Sequence, residues 1–516
     1  MKRLYILLFA FMLLLLFMPV TAAMAKGLKE HTSGSWTYLL DGENAVLSDY
    51  RGNRDTVLDI PAAIDNHPVS GIGNMELAGS DTITYIIIPD SVASIAQGAF
   101  SCFGNLENIE VSFGNPIYRH ISGILYDTRQ NILHTYPSRR EETWFHIPEG
   151  ITSIGDQAFL ECRNLQSITI PDSVTEIGFQ AFCDCSRLTG ITIPNSVTSI
   201  RSEAFYGCDL KEVIIPGNVK YVGDNVFTYC GNLTSLVIQD GVTSIGEMSF
   251  SMLNAPSSIV IPESVKSIGG IQMSRCIFPF SITILGSQVS MGPMDFSYSG
   301  LNSITFPDSV TGNMEMKFTG CDNLKSILIP EGVTRIGDEA FSDCDNLNGI
   351  TLPNSLKSID VHAFSCCSGL KSIAIPDGVT DNGAFSFSSC ENLTNITIPD
   401  SVSIIGSKAF TNCKSLAAIK IPEHVTIMGA DAFSGCSSLT SFAIPRCRTT
   451  IKASEFHGLK SLTNIEIPDT VTSIEDGAFI SCASLNEIIV SPGNSVYGVK
   501  DGVLYDKEQK MLHTYP

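Results

Sequence analysis

A proline recurs at positions 148, 171, 194, 216, 262, 330, 353, 376, 399, 422, 445 and 468, and most steps between neighbours are 23 residues. No other feature restricts the fold as much, because a short period sustained along a chain belongs to architectures in which one small unit stacks on the next. Where the proline is lost the register persists. Gln239 and Leu285 occupy its place, Phe306-Pro307 closes a 22-residue step, and Pro89 opens the series. The spacing predicts one continuous array rather than several domains.

Residue types repeat within the unit as well. After Pro148 come Ile151, Ile154, Gly155, Ala158-Phe159, Cys162, Leu165, Ile168 and Ile170, and then Pro171. Ile168 and Ile170, two apart, share one face of a short strand, and proline ends its ladder pairing. Ala158, Phe159 and Cys162 have the spacing of a single helical turn. Val174, Ile177, Ala181, Phe182, Cys185 and Leu188 repeat the scheme, so equivalent residues stack at the ~4.8 Å of strand pairing. One coil cannot bury its own apolar side; its neighbours must cover it. The expected fold class is an α/β repeat solenoid, mostly β, of coils with short strands and single helical turns.

The unit Ile-Pro-Asp-Ser-Val-Thr-x-Ile-Gly-x-x-Ala-Phe-x-x-Cys-x-x-Leu, read from Ile170 to Leu188, resembles the BspA-type bacterial leucine-rich repeat, and the likeness runs from about Ile60 to the C-terminus. The resemblance implies a right-handed leucine-rich-repeat stack, secreted or on the cell surface. It further implies binding of proteins, in some members matrix or host proteins, or adhesion between cells, and no enzymatic activity. It does not name a partner.

Charge narrows the partners independently. Lys and Arg total 32 against 53 Asp and Glu, a net charge of -21, and such a surface repels phosphate backbones and anionic lipid. Nucleic acid is excluded as a natural partner. Met1-Lys2-Arg3, the apolar run Leu4 to Val20 and the small residues of Ala23-Met24-Ala25 read as a signal peptide over 1–25, which predicts export. The expected organisation is then a capping hairpin region at 26–60, a solenoid at 61–489 with a hairpin insertion at about 111–137, and a final hairpin at 490–516 that is a cap or a truncation point. The insertion is recognisable because Val111 to Pro137 reappears, with changes, as Val490 to Pro516.

Two columns follow from the register. Cys162, Cys185, Cys208, Cys230, Cys276, Cys321, Cys344, Cys367, Cys390, Cys413, Cys436 and Cys482 share one offset, and the favoured reading is a row of buried thiols. Disulfides between coils are the alternative; identical side chains in parallel register point the same way, which opposes the required dihedral. Cys102, Cys183, Cys366 and Cys447 lie off the row, and if any cysteine is reactive or bridged, it is one of these. The second column is acidic: Asp90, Glu149, Asp172, Asp240, Glu263, Asp308, Glu331, Asp377, Asp400, Glu423 and Asp469 follow the marker, as suits a solvated turn.

Departures from the repeat mark the candidate contacts. Between Gly270 and Met316 the Ala-Phe pair fades while aromatic residues accumulate, and near 446–460 basic residues replace the usual acid. Phe278, Phe280, Phe296, Tyr298, Arg446, Arg448 and Lys452 are the expected partner-binding residues, since aromatic and Arg side chains dominate interface energetics. No nucleophile elbow, zinc-binding His pair or phosphate loop occurs, so no catalytic residue, cofactor or metal site is expected. The competing reading is a passive spacer or surface-coat element, or one part of a larger adhesin.

Overall fold

The protein, as a computed structural model, is described over residues 28–52, 55–73, 82–249, 256–312, 315–384, 386–508 and 512–514. The expected signal peptide lies outside these residues. They belong to two compact units, Met1–Phe250 and Ser251–Pro516.

In the first unit, Glu30–Ser33, Trp36–Asp41 and Asn44–Tyr50 form an antiparallel meander, and Asn44–Tyr50 then pairs in parallel with His67–Ile72. Beyond this the coils stack. The strands ahead of the prolines pair in parallel, Ser167 opposite Gly190 and Glu212 opposite Ser235. Two-residue strands just after each turn make a second ladder, in which Ile154, Ile177, Ile200 and Val222 succeed one another in exact register. The second unit repeats both ladders, for instance Ser326–Leu328 on Gly349–Thr351 and Arg335–Ile336 on Ser358–Ile359. It is a mostly-β solenoid of stacked coils.

The third side of each coil departs from expectation. There is no α-helix among the described residues. The Ala-Phe-x-x-Cys stretch makes local turns, with Ala158 N donating to Gly155 O at 3.2 Å and Cys162 N to Phe159 O at 3.2 Å. Two residues four apart take positive φ, 58° at Gln157 and 55° at Glu161, which breaks any helix and turns the N–H groups of alternate residues toward the next coil. Gln157, Phe159 and Glu161 thereby donate to the carbonyls of Phe179, Ala181 and Cys183 in the next coil, each at 2.8 Å. None of the non-glycine residues with positive φ is Val, Ile or Thr, the types that tolerate this region worst.

Inside, the conserved offsets become columns. Phe159, Phe182, Phe205 and Phe227 stack with centroids 4.9, 5.3 and 5.9 Å apart. In the second unit the column runs through Phe296, Phe318, Phe341, Phe364, Phe387, Phe410 and Phe433 at 5.0 to 5.5 Å. Beside the rings run the thiols. None of the sixteen cysteines is in a disulfide, and members of the row donate to the Phe carbonyl one coil back, as Cys185 does to Phe159 at 3.1 Å and Cys367 to Phe341 at 2.9 Å. Burial pushes four thiols of the row up, Cys276 and Cys321 to about 11 and Cys230 and Cys390 to about 12. Cys447 alone of the sixteen is exposed. A thiol-exchange reagent at pH 8 is therefore expected to label Cys447 first in the native chain, with the half-buried Cys102, Cys366 and Cys482 slower, and all sixteen only in denaturant. Immediate native labelling of the row would contradict this packing.

The repeated hairpin is held by the same device in both copies. The Asn115 side chain donates to the carbonyls of Pro89 at 2.9 Å and Val92 at 2.8 Å and accepts from the N–H groups of Ile117 and Tyr118. Asn494 does the same with Pro468, Val471, Val496 and Tyr497. The first hairpin's last strand, Ile132–Thr135, then pairs in parallel with Ser153–Ile154 of the following coil.

Candidate functional site

Every predicted contact residue can be placed. Phe278 and Tyr298 are about half exposed, at 48% and 58%, and Ile277 beside them is 64% exposed. The Cβ that Gly320 lacks would fall 2.5 Å from the Tyr298 ring, so this glycine leaves room for the ring to lie across the neighbouring coil. Arg446 and Lys452 are exposed; Arg446 N donates to Glu423 Oε2 at 2.8 Å and Lys452 Nζ pairs with Glu475 at 2.7 Å.

Three expected surface residues lie in the core. Phe280 and Phe296 are fully buried. Phe296 belongs to the ring column, with Asp295 standing where Ala usually precedes it, and Phe280 faces Leu301 across the ladder at a bulge, filling the corner that leucine fills in other coils. Arg448 is 4% and its partner Glu455 1% exposed, with Nη2 3.0 Å from Oε2. Arg448 stands at the offset of Val425 and Val471, Glu455 at that of Ala432 and Ala478. One coil has exchanged two core residues for an ion pair. Arg448 Nη2 also donates to Thr450 O at 2.6 Å and Glu455 accepts from Lys452 N at 2.8 Å, but Arg448 Nη1 is buried with no partner among the described residues. Burial holds the Glu455 carboxyl above its ordinary range, against the pull of Arg448.

The acidic column is exposed at all eleven positions, and some of its members cap the next coil, as Glu331 does by accepting from Asn354 N and Ser355 N. Among the described residues no group of three or more His, Cys, Asp or Glu could hold a metal ion, and no helix is long and apolar enough to cross a membrane.

One cleft went unread in the sequence. Asp156, Phe179, Arg201, Ser202 and Tyr221 line a surface hollow of about 360 Å³ in the first unit. Its signal was available: Phe179, Arg201 and Tyr221 each replace a small or short polar residue of the unit, in three successive coils.

With all three sides of each coil committed to bonding its neighbours, and chemistry left only to exposed side chains, the molecule is a repeat scaffold of the leucine-rich-repeat class. More narrowly, the chain belongs to the BspA type leucine rich repeat family, whose pattern matches residues 62–121, 152–278, 220–348, 275–394, 314–438 and 382–508. This is a non-enzymatic type of scaffold. Among solved structures the chain is similar to a leucine-rich repeat protein from Bacteroides ovatus, at 23% identity over 89% of this chain and 94% of that one, with a TM-score of 0.36. It is also similar to a leucine rich cell surface protein from Faecalibacterium prausnitzii, at 21% identity over 90% and 96%, with a TM-score of 0.25. No curated protein matches the sequence.

Proposed function

We propose that the chain is exported, stands on the cell surface or is released from it, and binds a protein of a host, its matrix or a neighbouring cell, with no catalytic step of its own. The observation that carries this reading is the exposed apolar group of Ile277, Phe278 and Tyr298, held on a stacked scaffold where the repeat departs from its pattern. Rigidly presented aromatic side chains at such a place suit a protein interface.

The test is a binding assay of the exported form, beginning at Lys26, against matrix proteins and bacterial surfaces at physiological and high salt. A saturable partner is expected, with affinity falling at least tenfold in Phe278→Ser plus Tyr298→Ser. Unchanged affinity in that variant would remove this surface from the reading. The exposed acidic column favours a second reading, a solvated spacer or coat element, and a folded protein that binds nothing across a broad panel would establish it.

A further inference from the structure

The cleft of the first unit offers a different ligand chemistry. Its walls come from successive coils at offsets where several other coils carry small residues. Tyr221 stands where Ser153, Ser199 and Ser244 stand in other coils, Arg201 where Gly155, Gly178 and Gly223 stand, and Phe179 where Asp156, Ser202 and Asp224 stand. Stacking requires none of the three larger side chains, since other coils pair in the same register without them. They nevertheless converge on one hollow.

Its polar groups are already ordered. Arg201 Nη1 reaches back across an intervening coil to Asp156, 2.7 Å from Oδ1 and 3.0 Å from Oδ2. Asp156 Oδ1 also accepts from Phe179 N at 2.7 Å, which fixes the carboxylate, and Glu176 Oε1 lies 3.9 Å from Arg201 Nε. Ser202 Oγ accepts from Asp224 N at 3.0 Å. Tyr221 is 42% exposed, and its hydroxyl has no hydrogen bond among the described residues. Arg201 keeps unused N–H donors and Asp156 unused lone pairs.

Charge then selects the ligand. One guanidinium faces two carboxylates, so the cleft is neutral to slightly negative and repels phosphate, sulfate or a uronic acid. What remains is a neutral molecule with alternating donors and acceptors and a flat apolar face. A hexopyranose has both: adjacent hydroxyls match the Arg201–Asp156 pair, and its C–H face lies against an aromatic ring such as Phe179 or Tyr221. The volume of about 360 Å³ is within the range of small-ligand sites. We propose that this cleft binds a neutral hexopyranose residue of a glycan. The proposal does not rest on the protein-binding reading, whose candidate residues are in the other unit.

Saturation-transfer NMR on the full chain tests it, with methyl β-glucopyranoside, methyl β-galactopyranoside and methyl α-mannopyranoside as neutral probes and the glucuronide and glucosamine as charged ones. Transfer from at least one neutral glycoside is expected, with Kd on the order of 1 mM. Tyr221→Ser and Phe179→Asp install residues that other coils carry at those offsets and so keep the fold; each is expected to weaken binding at least tenfold. Tyr229→Ser, at an exposed tyrosine outside the cleft, is expected to leave it unchanged. No transfer from any neutral glycoside, transfer confined to a charged probe, or equal binding in Tyr221→Ser and Phe179→Asp would each overturn the proposal.

Discussion

The double variant Arg448→Val/Glu455→Ala is expected to be more stable than the natural chain, by about 1 to 4 kcal/mol, although each single substitution costs about 3 to 5 kcal/mol. The asymmetry follows from burial. Both side chains are almost fully enclosed, so their mutual attraction must offset the desolvation of two ions, and Arg448 Nη1 finds no acceptor among the described residues. The raised Glu455 carboxyl points the same way: the folded protein resists its ionised form even beside an arginine. Removing one partner strands the other as an uncompensated buried charge. Removing both restores the Val and Ala that adjacent coils bury at these offsets, Val425 and Ala432 before and Val471 and Ala478 after. Urea unfolding of the four proteins measures the cycle, and a double variant weaker than either single would refute the account.

The second large effect is a loss of stability in mild acid. His134 is 1% exposed, its Nδ1 is 2.9 Å from Thr135 Oγ1, and burial lowers its pKa from 6.5 to about 4. Tyr118 packs edge-on against the ring at 6.0 Å, and Asp127, buried on the adjacent hairpin strand, only partly offsets the loss of hydration. Because the folded-state value lies below the unfolded one, the unfolded chain takes up the proton first. The contribution is intact above about pH 6.5 and is lost as pH falls toward 4, amounting to about 2 kcal/mol at pH 5 and about 3 kcal/mol in full. His134→Leu is expected to flatten the stability curve between pH 7 and 5. An unchanged slope in that variant would assign the acid sensitivity elsewhere.

Much of this molecule was legible because a period is a strong constraint. The strand ahead of each proline, the thiol row and the exposed acids all follow from offsets that repeat. The site was less legible, and the reason is specific. By residue type, Phe280, Phe296 and Arg448 suggest a surface, as an aromatic or a cation in a drifted coil does. Judged by offset, Phe296 stands where Phe318 and Phe341 stand, and Arg448 where Val425 stands. A core arginine goes against every composition-based prior until its partner seven residues later is paired with it, and only coordinates do that. The local turns were misread as helical because three-residue spacing is shared by both, while the positive φ values that separate them leave little trace in residue types other than the lack of β-branching. The glycan cleft is the reverse case, since its residues break the pattern at exposed offsets and their convergence depends on stacking three coils.

The third side of the coils has an electrical consequence. In a β-ladder successive peptide groups point in opposite directions and their dipoles largely cancel. On this side they do not: in each unit N–H groups point toward the following coil and carbonyls toward the preceding one, as in Phe341 N to Ala363 O and Phe364 N to Ser386 O. Three such groups per coil, from Gln157, Phe159 and Glu161 in the first unit, each contribute about 3.5 D along the stacking direction. Each column is thus a polar rod, with its acceptors directed toward its beginning and its donors toward its end. Coils can be gained by duplication only in the same sense, since an inverted coil would set carbonyl against carbonyl on one face and N–H against N–H on the other.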